Sequence, residues 1–160
     1  MKKDKITIYT DGAARGNPGP AGWSAILIDE KKIFEIGGAS KHATNNQMEL
    51  TAPIEALKYL QKTCVRQDLA QTVEIFSDSK YVILGITEWI FNWQKNNWRN
   101  AAKKPVLNKE LWQELYNLSE QFKIKWTYVE GHSGYKYNER ADEIATNFAD
   151  GNKIKLKKEK

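Results

Sequence analysis

At 160 residues and 18.4 kDa the chain is sized for one domain, burying about two thirds of its unfolded surface in one core without staples. Its single cysteine, Cys64, excludes an intrachain disulfide and a cysteine-based zinc site, which fits a reducing cytosol; the absence of any run of about 18 uncharged apolar residues argues against export and a membrane span. The net charge of +5 and pI near 9.1 invite a polyanionic partner, yet residues 151–160 carry +4 and residues 2–5 carry +2, leaving the body at −1. A nucleic-acid contact therefore needs a local patch.

Ile6, Thr7, Ile8, Tyr9 and Thr10 alternate at period two in β-branched and aromatic residues, predicting a first strand that ends on Asp11. Gly16, Asn17, Pro18, Gly19, Pro20 and Gly22 supply fixed and permissive φ values for a reversal, and residues 23–28 return as a second strand. Asp29 to Lys32 turn the chain into a third strand over 33–38. Thr44 or Asn45 is placed to cap a helix reaching about Thr63, with a kink expected at Pro53, which cannot donate to the Glu49 carbonyl. Residues 72–76 read as a buried fourth strand.

Ser77, Asp78 and Ser79 form a capping cluster for a helix in which Val82, Ile86, Trp89, Ile90 and Trp93 share one face. Residues 92–104 contain Lys95, Arg99, Lys103 and Lys104 and no acid, the local patch that the charge distribution requires. Asn108 is placed to cap the next helix, residues 124–129 form a fifth strand, and residues 130–137 a loop holding Gly131, His132, Ser133 and Gly134. Asn138 is placed to cap a last helix ending near Ala149, so residues 1–150 make the folded domain and 151–160 a basic, flexible tail. The order βββαβααβα predicts an α/β fold: a five-stranded mixed sheet, an antiparallel meander plus two parallel strands, flanked by helices.

Four carboxylates take related places in this plan. Asp11 and Asp78 end strands one and four; Glu49 and Asp142 lie in the first turns of helices. Sites in such sheets gather at the carboxyl ends of parallel strands, and four converging anions repel by several kcal/mol unless cations bind. All-oxygen ligation suits Mg²⁺ or Mn²⁺. Each residue alone has a plainer reading: a turn aspartate before Gly12, a helix cap at Asp78, solvated first-turn acids at Glu49 and Asp142, and ordinary loop histidines at His132 and His42.

Jointly the motifs say more. Tyr9-Thr10-Asp11-Gly12 with Gly16-Asn17-Pro18-Gly19, Thr44-Asn45-Asn46-Gln47-Met48-Glu49-Leu50, Ser77-Asp78-Ser79-Lys80-Tyr81-Val82, and Gly131-His132-Ser133-Gly134 with Asn138-Glu139-Arg140-Ala141-Asp142 resemble bacterial ribonuclease HI, the type 1 ribonuclease H. The resemblance runs in order from Lys5 to about Ala149. It implies a ribonuclease H-like fold and a monomeric cytoplasmic endonuclease that cuts the RNA strand of RNA/DNA hybrids without base-sequence specificity. The implied products carry 5′-phosphate and 3′-hydroxyl ends, and the implied mechanism uses two Mg²⁺ ions, replaceable by Mn²⁺. By similarity Asp11 bridges the ions, Glu49 and Asp78 serve the leaving-group side, Asp142 serves the nucleophile side, and His132 moves a proton or assists product release.

The resemblance also implies two readers of the hybrid. Asn17, Asn45 and Asn46 suit the RNA 2′-hydroxyl and minor groove. Thr44 and residues 89–108 suit the DNA phosphates, with Lys95, Arg99, Lys103, Lys104 and Asn108 as contacts. Trp89 and Trp93 divide between core packing and substrate contact, and Trp98, outside their stripe, is a candidate exposed ring. Lys80 stands where other members of the family carry Gln, making an amide contact ionic, and Ala14 lacks the polar or thiol group of some relatives. Two rival readings remain at this level: a DNA-cutting enzyme on the same fold, and a hybrid-binding module without catalysis, which could dispense with the four acids.

Overall fold

The computed structural model describes residues 5–30, 32–63, 72–131 and 135–158. Three strands, β1 (Lys5–Ala14), β2 (Gly19–Asp29) and β3 (Lys32–Ala43), form the expected antiparallel meander. Helix α1 (Asn45–Thr63) follows and passes through the buried Pro53 as one element. β4 (Thr72–Ser77) pairs parallel with β1, and β5 (Lys123–Tyr128) pairs parallel with β4, giving the order β3-β2-β1-β4-β5. Between these two strands lie α2 (Lys80–Leu84), a π-helical turn (Gly85–Trp89), α3 (Ile90–Lys95) and α4 (Lys109–Ser119); α5 (Lys136–Ala149) ends the array.

Period-two alternation divides β1 between the two layers. Ile6 and Ile8 join Val73 and Ile75 of β4 in a core sealed by Leu50, Ile54 and Leu57 of α1 and by Val82, Ile90 and Trp112 of α2, α3 and α4. Tyr9 faces the other way, toward Ile26 and α5's Ala141 and Ile144, and stacks on Phe76 at 4.7 Å. Burial of these apolar side chains, at about 25 cal/mol per Å², is the main drive holding helices to both faces. Among the described residues no helix is long and apolar enough to cross a membrane.

Four expectations need correction. The helix after β4 does not keep one stripe: the wider π turn lags α-helical rotation, so Val82, Ile86 and Ile90 stay buried while Trp89 swings out to 37% exposure. Gly85 within that turn lies beneath the indole of Trp112, where a Cβ would collide with the ring. Asn108 and Asn138 do not cap. Asn108 stands at the N-cap of α4 with a left-handed backbone (φ 62°) and no side-chain cap bond. Asn138 is buried inside the first turn of α5, which begins two residues earlier. Last, the supposed flexible tail lies along β3 as far as Lys158. Glu35 N–H donates to the Lys157 carbonyl, Lys157 N–H donates to Glu35 Oε1, and the Glu35 carboxylate receives a two-point contact from Arg140. Ile154 and Leu156 pack on the α5 side of the sheet, which explains why a lysine-rich stretch with alternating apolar residues is held.

Candidate active site

β1 and β4 run parallel up to the pair Thr10 and Ser77, so Asp11 and Asp78 leave adjacent strands at the same level. Past that level β1 continues as partner of β2 alone, so Asp11 sits inside the strand, opposite Ser24, rather than at its end. Gly12 brings in the third acid. A Cβ there would lie 2.5 Å from the Glu49 nitrogen, so only glycine lets α1 approach closely enough to set Glu49 beside Asp11. Asp11, Glu49 and Asp78 each place a carboxylate oxygen within 4.8 Å of the others.

Local bonds fix this geometry. Thr44, not Asn45, caps α1 through a capping box: Gln47 N–H donates to Thr44 Oγ1 at 3.1 Å and Thr44 N–H to Gln47 Oε1 at 2.8 Å. Ser79 caps α2 by accepting from Val82 N–H, which relieves Asp78 of the capping role. Asp142 stands apart from the three-acid group, half-buried on α5, near enough that its charge acts on Asp11. Its strand-side support is Ser24, whose hydroxyl donates to the Ala141 carbonyl at 2.5 Å, one residue before Asp142. Sequence reasoning gave Ser24, Gly12 and Gln47 no separate role, although Thr44-x-x-Gln47 is a capping-box spacing, Gly12 stands within the Asp11 motif, and Ser24 is polar amid apolar residues of β2.

The electrostatics of the cluster call for a cation. Asp11 and Glu49 are 4% and 5% exposed. Burial, then the charges of Glu49 and Asp78, pushes the Asp11 carboxyl well above its ordinary range. Burial pushes Glu49 up as well, opposed by hydrogen bonding to Asp11. Glu49 Oε1 is buried with no hydrogen-bond partner among the described residues. An orphaned carboxylate oxygen in an all-oxygen cluster is a fit for a hard divalent ion.

Of the other candidates, Asn17 Oδ1 accepts from Asn45 N–H at 2.9 Å, joining the Gly-Pro turn to the start of α1, where the half-buried Asn46 also lies. Lys80 is exposed, its ammonium 5.6 Å from the Tyr128 ring centre. Lys95, at the end of α3, and Arg99, Lys103 and Lys104, on the loop that follows, are all exposed, and the loop has its own order: Arg99 donates to the Lys103 carbonyl, and Asn100 Oδ1 accepts from Ala102 and Lys104 N–H. Trp93 touches Trp89, Trp98 and the buried Trp112, with ring centres 5.3 to 6.2 Å apart, so Trp98 is half-buried in this ladder rather than exposed. His132, like Cys64, lies outside the described residues.

Buried acids at the carboxyl edge of an open mixed sheet make a site of the class that can hold a hard divalent cation. The RNase H family model matches residues 3–150. A ribonuclease H of Bradyrhizobium diazoefficiens is 51% identical over 140 residues, covering 88% of this chain and 86% of its own, and that of Hydrogenovibrio crunogenus is 48% identical over 146 residues, covering 91% and 96%. Among solved structures, a type 1 RNase H with the type 2 active-site motif superposes with a TM-score of 0.84 at 24% identity, covering 99% of this chain and 79% of its own. A second RNase H1, solved in complex with an RNA/DNA hybrid, superposes at 0.69 with 28% identity, covering 91% and 97%. The chain belongs to the ribonuclease H family and is a hydrolytic nuclease.

Proposed function

We propose that this nuclease hydrolyses the RNA strand of RNA/DNA hybrids, without base-sequence specificity, leaving 5′-phosphate and 3′-hydroxyl ends. The observation that carries the reading is the set Asp11, Glu49 and Asp78, with ligand oxygens within 4.8 Å, lying one turn from the α1 start where Asn45 is tied to Asn17. The hybrid bound by the 28%-identical relative supports the substrate. Asp11, Glu49, Asp78 and Asp142 would hold two Mg²⁺ ions. When bound, these supply a lowered pKa for the attacking water and charge stabilisation at the leaving oxygen.

The chain's own residues do the rest. The buried carboxylates exclude bulk water from one flank of the scissile phosphate, while Asn17, Asn45 and Asn46 offer donors and acceptors to RNA 2′-hydroxyls. The exposed cations of residues 95–104, with Thr44, Trp89 and Asn108, hold the DNA strand by its phosphates. His132 moves a proton or helps product leave. The protein works as a monomer in the cytoplasm. The test is cleavage of a labelled hybrid with Mg²⁺ beside duplex DNA and duplex RNA, for wild type and Asp11→Asn. Cutting of the RNA strand alone, lost in the variant, is expected; cutting of duplex DNA or full activity in the variant would overturn the reading.

A further inference from the structure

Asn108, expected to touch the DNA strand, sits at the centre of a polar network that joins α1, α2 and α4. Gln47 Nε2 donates to Asn108 Oδ1 at 3.4 Å, Asn108 Nδ2 donates to Tyr81 Oη at 3.1 Å, and Trp112 Nε1 donates to the same oxygen at 3.0 Å. Each bond constrains the next. With its carbonyl turned to Gln47, the Asn108 amide has one N–H left over. The Tyr81 hydroxyl accepts twice, so its own hydrogen is free to be donated, and among the described residues it meets no acceptor. Trp112 cannot shift to relax this arrangement, being fully buried above Gly85.

The backbone agrees with a built site. Asn108 is held left-handed, a conformation that costs non-glycine residues energy and that here serves no capping bond. Gln47 spends its carbonyl oxygen on the capping box of α1 and its NH₂ on Asn108, so one side chain couples the start of α1 to the start of α4. Two leftover donors, both half-buried and with no acceptor between them, favour an anionic oxygen, which can accept from both, over a base edge, where donors and acceptors are mixed.

Resting on the proposed hybrid substrate, we infer that the Tyr81 hydroxyl is a further binding group for a DNA-strand phosphate, with Gln47 the positioning residue that aims the Asn108 amide at the same phosphate. The donors are neutral, which separates them from the lysines. Losing a neutral donor weakens binding without changing the number of counterions released, so affinity falls while its salt slope stays fixed.

The test measures kcat, KM and the salt dependence of KM on a labelled hybrid for Tyr81→Phe, Asn108→Ala, Gln47→Glu and the doubles of the first and third with the second. Gln47→Glu keeps the acceptor for the α1 cap and removes the donor to Asn108. Tyr81→Phe is expected to raise KM about fivefold to tenfold, with kcat held and the slope unchanged. The doubles should be non-additive, and the Gln47→Glu effect should vanish in Asn108→Ala. An unchanged KM in Tyr81→Phe, additive doubles, or a shallower slope would overturn the inference. If wild type itself fails to cut the hybrid, the substrate reading falls instead.

Discussion

Asp11 and Glu49 are carboxyls kept from water beside a third acid, and the raised proton affinity of both has a signed consequence. In the metal-free protein a carboxyl whose folded pKa lies above its unfolded value of about 4 stabilises the fold at low pH. That contribution is lost as pH rises above the unfolded value, because deprotonation in the folded state is penalised. Asp11→Asn removes one source of the penalty. The metal-free variant is expected to melt about 3 °C above metal-free wild type at about pH 8, with the gap closing toward about pH 5. Adding Mg²⁺ should reverse the order at pH 8, since only wild type gains the full cluster. Thermal melts at both pH values with and without the ion check this; a variant that melts lower without metal at pH 8 would contradict the electrostatic account.

At the scale of elements, the docking of residues 154–158 on β3 turns on one ion pair. Arg140 of α5 meets both oxygens of Glu35, at 2.8 and 2.9 Å, and donates to the Lys155 carbonyl. The Arg140 guanidinium holds the Glu35 carboxyl below its ordinary range. The sign is opposite to that of Asp11: this stability is present above the unfolded carboxyl pKa and is lost as acid protonates Glu35. Arg140→Ala leaves a buried carboxylate with the Lys157 N–H as its remaining described partner, a loss of about 3 kcal/mol at neutral pH. Urea unfolding at about pH 7 and about pH 3 is expected to show the loss shrinking in acid. The same change should expose the amide of Glu35 to hydrogen exchange, because its acceptor lies in the docked segment.

Across the whole molecule, charge is segregated. Asp11, Glu49 and Asp78 converge at the carboxyl ends of β1 and β4, while Lys95 at the end of α3 and Arg99, Lys103 and Lys104 on the loop after it are exposed; the proposed function has a polyanion attracted at the second place and processed at the first. Lys95→Gln with Lys104→Gln is the cleaner probe of attraction, because Arg99 also bonds the Lys103 carbonyl and would disturb the loop. The pair is expected to raise KM and to reduce the slope of log KM against log salt by about 1 to 2, with kcat nearly unchanged, in steady-state assays over a salt series. A fall in kcat at saturating hybrid would place these lysines in the chemistry instead.

Much of this was legible in residues alone. Alternation in 6–10 and 72–76 reports a face that must be buried, and capping chemistry at Thr44 and Ser79 is local, so strands, helices and their order follow from short-range physics. The three clustered acids were legible because open sheets present their carboxyl ends together. What the sequence could not decide depends on contacts between distant residues. The π turn exists where Gly85 and Trp112 must share space, Asn108 gives up capping for Gln47 and Tyr81, residues 153–158 are captured by Glu35 and Arg140, and α5 brings the charge of Asp142 to bear on Asp11 without placing it among the three acids within 4.8 Å. Chain order and hydrophobic period determined which elements form and on which edge the acids gather; only tertiary packing, where close approach and desolvation set each partner, decided the hydrogen-bond and charge environment that makes those acids a site.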